Sequence, residues 1–280
     1  MPLSADTTSR ATGPALAGVA SLLSQPRLIA LGCMSILTTC GWIYLVWIAM
    51  AKGQPGAAAW LDAICRAAPV AAIGIETASV VAAMWLAMTL AMMLPSAGPM
   101  ILTYAEIADT ALRKGETIVS PHVLIAGYLA VWFGFAALAT FVQIGLGLIA
   151  AWPLMAAAAA PASAILFLVA GFYQFSALKQ ACLRACQQPF SFFFLNWTDR
   201  TSGVFRLGVR QGLYCLGCCW AMMLLMLVAG AMNLFWMALL GLIMLIEKMT
   251  VAPYVGRAVG VAFIAAGLTM LASWGAGVLH

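Results

Sequence analysis

Apolar runs long enough to cross a lipid bilayer recur along the whole chain, and they restrict it to helical membrane architectures. A helix needs about 20 apolar residues to cross a hydrocarbon core of about 30 Å. Seven segments reach or approach that length: residues 28–50, 79–102, 123–151, 162–178, 208–230, 233–246 (extended to about 250) and 258–276. We therefore predict an all-α, polytopic transmembrane helical bundle with about seven spans.

The overall composition agrees with this prediction. Hydrophobic residues make up 65% of the chain and charged residues 8%, against about 45–50% and about 25% in soluble domains. Residues 1–27 form a polar tail without the short apolar core and small-residue cleavage site of a signal peptide. We expect residues 28–280 to form one transmembrane helical domain, with no separate soluble domain.

Seven spans place nearly all the basic residues on one side of the membrane. By the positive-inside rule the N-terminus is then cytoplasmic and the C-terminus lies outside, in a bacterial inner (plasma) membrane. These loops, facing anionic lipid, explain the net charge of +5 without any nucleic acid partner. Only Lys52 and Arg66 lie on the opposite side. The basic residues of the cytoplasmic side are Arg10, Arg27, Arg113, Lys114, Lys179, Arg184, Arg200, Arg206, Arg210, Lys248 and Arg257.

Proline and glycine predict local features of three spans. Pro95 and Pro99 end or kink the second span and free backbone carbonyls near its cytoplasmic end. After them, residues 104–115 predict a helical extension that stops at a glycine. The pair Gly208 and Gly212 favours close helix approach in the fifth span. A tight hairpin around residues 231–232 joins the fifth and sixth spans.

Three cysteines in five residues lie in the fifth predicted span. The stretch is Tyr214-Cys215-Leu216-Gly217-Cys218-Cys219-Trp220. Positions i, i+3 and i+4 share one helix face, which favours a soft-metal site. Adjacent residues diverge by about 100° on a helix, so we expect Cys218 and Cys219 to point apart and other elements to complete the site.

A second pair of cysteines, Cys182 and Cys186, follows the fourth span at i, i+4 spacing with Lys179 and Arg184 nearby. Nearby positive charge favours the thiolate, which is the form that binds metals. The hairpin places Cys215 at the depth of Glu247 and Lys248, so both cysteine groups and Glu247 lie at a similar depth. Simple packing of small hydrophobic side chains is the alternative for all five thiols.

Glu247 carries a charge in or at the end of a span and therefore needs a cation, a metal or the membrane interface. Its neighbour Lys248 cannot face it on a helix. In the second span Met84, Met88 and Met92 repeat every four residues. Thioethers in such a stripe either pass Cu(I) along or fill the core.

Other kinds of site find little support in the sequence. The chain has 2 histidines, too few for a His-rich zinc or di-iron site, and His122 alone is a weak ligand candidate. There is no Walker loop, no dinucleotide glycine fingerprint and no Ser-His-Asp set. We assign no catalytic and no cofactor-binding residue, and we favour a protein that is not an enzyme.

Several stretches together resemble one protein family. They are residues 170–186, the Cys-Leu-Gly-Cys-Cys-Trp element at 215–220, Trp236-Met237, Glu247-Lys248, and residues 92–95 and 127–132. The chain resembles, over about residues 80–250, bacterial integral membrane proteins of unknown function described only as predicted metal-binding. The resemblance implies a metal site formed by Cys182, Cys186, Cys215, Cys218, Cys219 and Glu247.

Three hypotheses follow. The leading one is an integral membrane protein that binds a Cu or Zn ion at a cytoplasm-facing cysteine cluster, for metal transport, insertion or handling, with the bilayer and a metal-handling or membrane-complex protein as partners. The second is a thiol-redox membrane subunit that uses Cys182/Cys186 or Cys218/Cys219. The third is an accessory or scaffold subunit whose cysteines only pack.

Overall fold

The computed structural model describes residues 26–51, 75–116, 118–149, 153–228, 234–250 and 253–279. Every regular element in these ranges is helical, which confirms the all-α part of the predicted fold class. The predicted polar tail, the segment around Cys65 and the hairpin turn at 231–232 lie outside the described residues. The α-helices are α1 (Pro26–Ala51), α2 (Ile75–Met88), α3 (Leu94–Ser96), α4 (Gly98–Arg113), α5 (Pro121–Ile149), α6 (Pro153–Tyr173), α7 (Ala177–Gln187), α8 (Pro189–Leu195), α9 (Thr201–Val228), α10 (Leu234–Met249) and α11 (Pro253–Leu279).

Five described helical stretches are long and apolar enough to cross a membrane: Ala30–Ile48, Ala78–Ser96, Pro121–Leu148, Thr201–Met226 and Tyr254–Ala276. A sixth results if Pro161–Tyr173 and Ala177–Gln187, which meet at a bend of 63°, form one broken span. The predicted sixth span corresponds to α10, whose 16 residues reach only about 24 Å. The predicted count of seven and the orientation are not confirmed.

The outward faces of these helices are apolar, as a lipid environment requires. Ile43 on α1, Phe141 on α5 and Val261 on α11 are each more than half exposed, while the inward faces of the bundle are apolar as well. A helix that is hydrophobic all round fits either the interior of a large protein or a bilayer. The described bundle is therefore compatible with insertion into a membrane.

The segment after α2 leaves regular α-geometry where the sequence contains Pro95 and Pro99. Thr89–Met93 form a π-helical turn, and Ala97 separates α3 from α4. Pro95 has no N–H to donate to the Ala91 carbonyl, which instead accepts a hydrogen bond of 3.1 Å from the indole of Trp42 on α1. The predicted break is confirmed, and it fixes α1 to this segment.

Glycines hold the helices close together at two crossings. A Cβ on Gly208 of α9 would overlap the carbonyl oxygen of Leu124, and a Cβ on Gly127 of α5 would overlap that of Phe205. At the second crossing, a Cβ on Gly267 of α11 would lie 2.9 Å from the Ala164 carbonyl oxygen of α6. The expected close approach at Gly208 is confirmed, and it brings α5 and α9 into contact at the level of the cysteines.

The turn between α6 and α7 is stabilised by local hydrogen bonds. Ser176 caps α7 by accepting a bond of 3.1 Å from the backbone N–H of Lys179. The helix therefore restarts at a sharp angle and packs against α9 and α10. This bend directs Lys179, Cys182 and Cys186 toward the interior of the bundle, where all three are buried.

Candidate metal centre

The three cysteines of α9 form a compact, buried group of sulfurs. Cys215, Cys218 and Cys219 are all buried, and the sulfurs of Cys218 and Cys219 lie 3.3 Å apart. The Cys218 thiol also donates to the Cys215 carbonyl at 3.1 Å. The expectation that Cys218 and Cys219 point apart is wrong, because rotation about each Cα–Cβ bond brings the two sulfurs together although the two Cβ atoms diverge.

Helix α7 adds a fourth sulfur to this group. Cys186 is buried and lines the same small cavity as Cys215 of α9. Cys182, one turn earlier, packs against the backbone of α9, where a Cβ on Gly217 would lie 2.6 Å from its sulfur. We call Cys186, Cys215, Cys218 and Cys219 the thiol cluster. The structure thus brings both predicted cysteine groups together, with Cys182 at the edge of the cluster.

A lysine ammonium lies against the thiol cluster. Lys248 Nζ of α10 is 2.9 Å from Cys215 Sγ and donates to Ser96 Oγ at 2.7 Å. Lys248 is buried, 5% exposed, so its charge depends on these partners for compensation. A hydrogen bond between an ammonium and a thiolate satisfies both groups in a low-dielectric interior.

The hydroxyl of Tyr128 on α5 completes this side of the cluster. It lies 3.0 Å from Cys215 Sγ and donates to the Met93 carbonyl at 2.9 Å. Ser96 Oγ also donates to the Met93 carbonyl, at 2.8 Å. The π-helical turn and the prolines after it therefore present a carbonyl and a hydroxyl that hold Tyr128 and Lys248 in place.

A small cavity of about 10 Å³ opens beside the cluster. That volume is about the size of one water molecule. Its walls include a thioether, Met100, and the carboxamide of Gln211. Cys186, Cys215 and Lys248 also line it, so the ammonium and the two thiols face the same space.

Glu247 pairs with a lysine instead of approaching the sulfurs. Its Oε2 lies 2.7 Å from Nζ of Lys179, and both side chains are buried. Gln187 holds the same helix end by donating to the carbonyls of Glu247 and Thr250 at 2.7 and 2.9 Å. Lys179 is therefore the cation that pairs with Glu247. Lys248 does not pair with Glu247, as predicted, and its ammonium lies against Cys215 instead.

No group of three or more His, Cys, Asp or Glu side chains in the described part of the chain is arranged to hold a metal ion. The physical reason lies in the thiol cluster itself. Its sulfurs bond to one another, to a backbone carbonyl and to Lys248 rather than converging on an open point. The α9 sulfurs of the cluster are thus occupied by hydrogen bonds within the cluster and to the Lys248 ammonium.

His122 lies away from the cluster. Its Nδ1 is 2.8 Å from Ser120 Oγ, and its Nε2 lies 3.7 Å from Cys33 Sγ on α1. Met84, Met88 and Met92 are buried inside the bundle. A Cβ on Gly241 of α10 would lie 3.3 Å from the Met92 methyl group. This packing fits core filling and leaves the alternative of a Cu(I) route open.

Sequence reasoning missed the contacts of Tyr128 and Ser96 beside the cluster and the pairing of Lys179 with Glu247. One signal was available for the lysine, since every intramembrane charge requires a partner and Glu247 had none on its own helix. For Tyr128 and Ser96 no local pattern specifies the contact, because their partners are 87 and 152 positions away in the chain.

The described residues form a helical bundle with five or six helices able to cross a membrane. A buried thiol cluster lies beside a lysine within this bundle. A family model described as PpoB2, copper chaperone, matches residues 82–270. This is about two thirds of the chain, and the protein belongs to the PpoB2 copper chaperone family. Neither the comparison with curated proteins nor that with solved structures gives a match.

Proposed function

We propose that the protein is an integral membrane copper-handling protein of the bacterial inner membrane, and that Cu(I) binds at the thiol cluster facing the cytoplasm. The observation that carries the proposal is that Cys186 of α7 lines the same small cavity as Cys215 of α9, the helix that also holds the paired sulfurs of Cys218 and Cys219. Thiolates and thioethers select Cu(I) among the common metal ions. Membership of the copper chaperone family supports copper over zinc.

The remaining predicted ligands have distinct roles in this proposal. Cys182 lies one helical turn from Cys186 and supplies a further thiol when its side chain rotates toward the cluster. Glu247 fixes α7 to α10 through Lys179, so that Cys182 and Cys186 are held against α9. Copper is the cargo, which the protein receives and passes to a metal-handling or membrane-complex partner.

The positive charge of Lys248 can be exchanged for that of Cu(I) when copper is loaded and released. The Lys248 ammonium is the cation beside Cys215. Cu(I) carries the same single charge, so its binding at Cys215 leaves the total charge of the buried site unchanged when Lys248 gives up one proton to solvent or moves its ammonium out of the interior. Uncompensated charge is expensive in a low-dielectric interior, and the exchange avoids it. Copper entry thus requires the Lys248 side chain to swing away from Cys215.

Metal analysis of the purified protein tests the proposal. The wild type, loaded with Cu(I) under reducing conditions and then desalted, is expected to retain copper. A variant with serine at Cys215, Cys218 and Cys219 is expected to lose most of it. Cys40→Ser is the matched control, because Cys40 is exposed on α1. Equal copper content in the triple variant and the control would contradict the proposal. Retention of zinc in place of copper would rule out copper as the cargo.

One observation favours thiol-redox chemistry as a second candidate function. The sulfurs of the adjacent Cys218 and Cys219 lie 3.3 Å apart, although a bridge between neighbouring residues would be strained. Alkylation with and without reductant, read by mass spectrometry, tests this candidate. A reductant-dependent mass shift at these two cysteines supports it, and full alkylation of both without reductant argues against it.

A further inference from the structure

A second, larger cavity lies at the bend between α6 and α7, where these helices meet the end of α10 and the start of α11. Its volume is about 490 Å³, within the range of about 300–1,000 Å³ typical of small-molecule sites. Its polar lining includes Gln174, Gln180, Arg184, Gln188, Glu247 and Arg257. In the predicted topology it opens on the cytoplasmic side.

Two residues that line this cavity each contain a buried oxygen acceptor without a hydrogen-bond partner in the described structure. The two atoms are Oε1 of Glu247 and Oε1 of Gln174. Their side chains are 3% and 1% exposed, respectively. A buried acceptor without a donor is unfavourable, and most such groups in native proteins find one. These two atoms therefore point to a ligand that brings N–H groups. Lys179 already bonds Oε2 of Glu247, so the ligand would bond the second carboxylate oxygen, Oε1.

Two arginines on different helices contribute positive charge to the same cavity. Arg184 of α7 and Arg257 of α11 are both exposed. The described residues provide no carboxylate within ion-pair distance of either guanidinium. Guanidinium groups bind carboxylates and phosphates through paired N–H donors. The arginines therefore point to an anionic group on the same ligand.

We propose that this cavity binds a short peptide of two or three residues with a free ammonium and a free carboxylate. The ammonium pairs with Glu247 and Gln174, and the carboxylate pairs with Arg184 and Arg257. Gln180 and Gln188 carry amide groups that match the peptide bond, which both donates and accepts. The proposal does not depend on copper binding.

The two sites nevertheless share a wall. Gln187 and Glu247 on the cavity side are the chain neighbours of Cys186 and Lys248 on the cluster side. Copper content measured on the same preparations therefore separates the two proposals. Loss of peptide binding with copper intact concerns the cavity alone, and loss of copper with peptide binding intact concerns the thiol cluster alone.

Calorimetric titration of the full chain in detergent with three peptides tests the proposal. The probes are alanylalanine, its N-acetylated form without the ammonium, and its C-terminal amide without the carboxylate. Saturable binding of the free dipeptide is expected, with each blocked form weaker by about tenfold or more, because each loses a charge-assisted hydrogen bond. Equal binding of the three peptides, or no binding of the free dipeptide at millimolar concentration, would overturn it.

Exposed arginine variants provide the second measurement. Arg184→Gln and Arg257→Gln are each expected to weaken binding of the free dipeptide by about tenfold. Arg113→Gln is the matched control, because Arg113 is an exposed arginine of α4 that pairs with Asp109. Unchanged affinity in both cavity variants, or the same loss in the control, overturns the proposal. So does glycerophosphoethanolamine binding that exceeds dipeptide binding, which would assign the cavity to a lipid headgroup.

Discussion

A lysine ammonium buried against a cysteine sulfur is, in electrostatic terms, a monovalent cation held by a soft ligand. Lys248 contacts both Cys215 and Ser96, and Tyr128 contacts the same sulfur. The residue therefore competes with Cu(I) for Cys215 in the proposed function. Its neighbour Glu247 pairs separately with Lys179 through Oε2, so either lysine can be changed without removing the contact of the other.

Replacement of Lys248 by methionine is expected to increase copper retention. The change removes the competing ammonium and adds a thioether, and a hydrogen bond to a charged group contributes about 1.5–3 kcal/mol. Copper should therefore be held about tenfold more tightly or better, measured by competition with a chromogenic Cu(I) chelator. Lys114→Met, at an exposed position, is the control. Weaker retention in Lys248→Met than in the control would show that the lysine assists binding.

Removal of the Glu247 charge tests the buried ion pair. Glu247→Gln leaves the Lys179 ammonium without its carboxylate, and breaking a buried pair costs about 3–5 kcal/mol. We expect a clearly lower midpoint of thermal unfolding in detergent, with Glu106→Gln at an exposed position of α4 as the comparison. An unchanged midpoint in Glu247→Gln would mean that the pair does not hold α7 against α10.

The sequence alone predicted which of these residues matter better than it predicted their partners. It singled out Glu247 and Lys248, and it correctly excluded their mutual pairing, because helix geometry fixes where neighbouring side chains point. It left a cation, a metal or the membrane interface open for Glu247 and named Glu247 as a metal candidate; the structure pairs Glu247 with Lys179. That choice depends on the 63° bend between α6 and α7, a tertiary feature that no local spacing determines.

At the scale of elements, the site depends on the α5–α9 crossing. Gly127 and Gly208 allow the two backbones to meet, and Tyr128 follows Gly127 directly and reaches Cys215. The sequence predicted close approach at Gly208 because small residues permit it. The sequence could not predict which helix packs against Gly208, because the spacing of glycines along one helix does not identify the neighbouring helix.

Alanine at Gly208 is expected to push α5 and α9 apart. The new Cβ would overlap the Leu124 carbonyl oxygen, which belongs to backbone and cannot rotate away. Overpacking of this kind costs about 1–3 kcal/mol, so both thermal stability and copper content should fall. Gly134→Ala on the outer face of α5 is the control, because a Cβ there meets nothing within 4 Å. Equal behaviour of the two variants would contradict the role of this crossing.

At the scale of the whole molecule, periodicity and composition were enough to predict an all-helical bundle. They were less informative about the number of spans. The proline-rich break after α2, the bend after α6 and the 16 residues of α10 each change how a run of apolar sequence is divided. Such breaks depend on tertiary hydrogen bonds to the freed backbone carbonyls, such as the bond that the Ala91 carbonyl accepts from the Trp42 indole.

Reporter fusions test the predicted orientation. Alkaline phosphatase needs disulfides and is therefore active only outside the cytoplasm. With seven spans, phosphatase fused after His280 should be active and phosphatase fused after Glu116 inactive. Inactivity at His280, with the fusion protein present in the membrane fraction, would favour an even number of spans.

X-ray absorption at the copper edge of the Cu(I)-loaded protein tests the central claim most directly, because it reports the atoms bound to the metal. The thiol cluster predicts a coordination sphere of sulfur alone, which changes when Cys218 and Cys219 are replaced by serine and is unaffected by Cys40→Ser. A sphere dominated by nitrogen or oxygen, or one identical in all three proteins, would contradict binding at the thiol cluster.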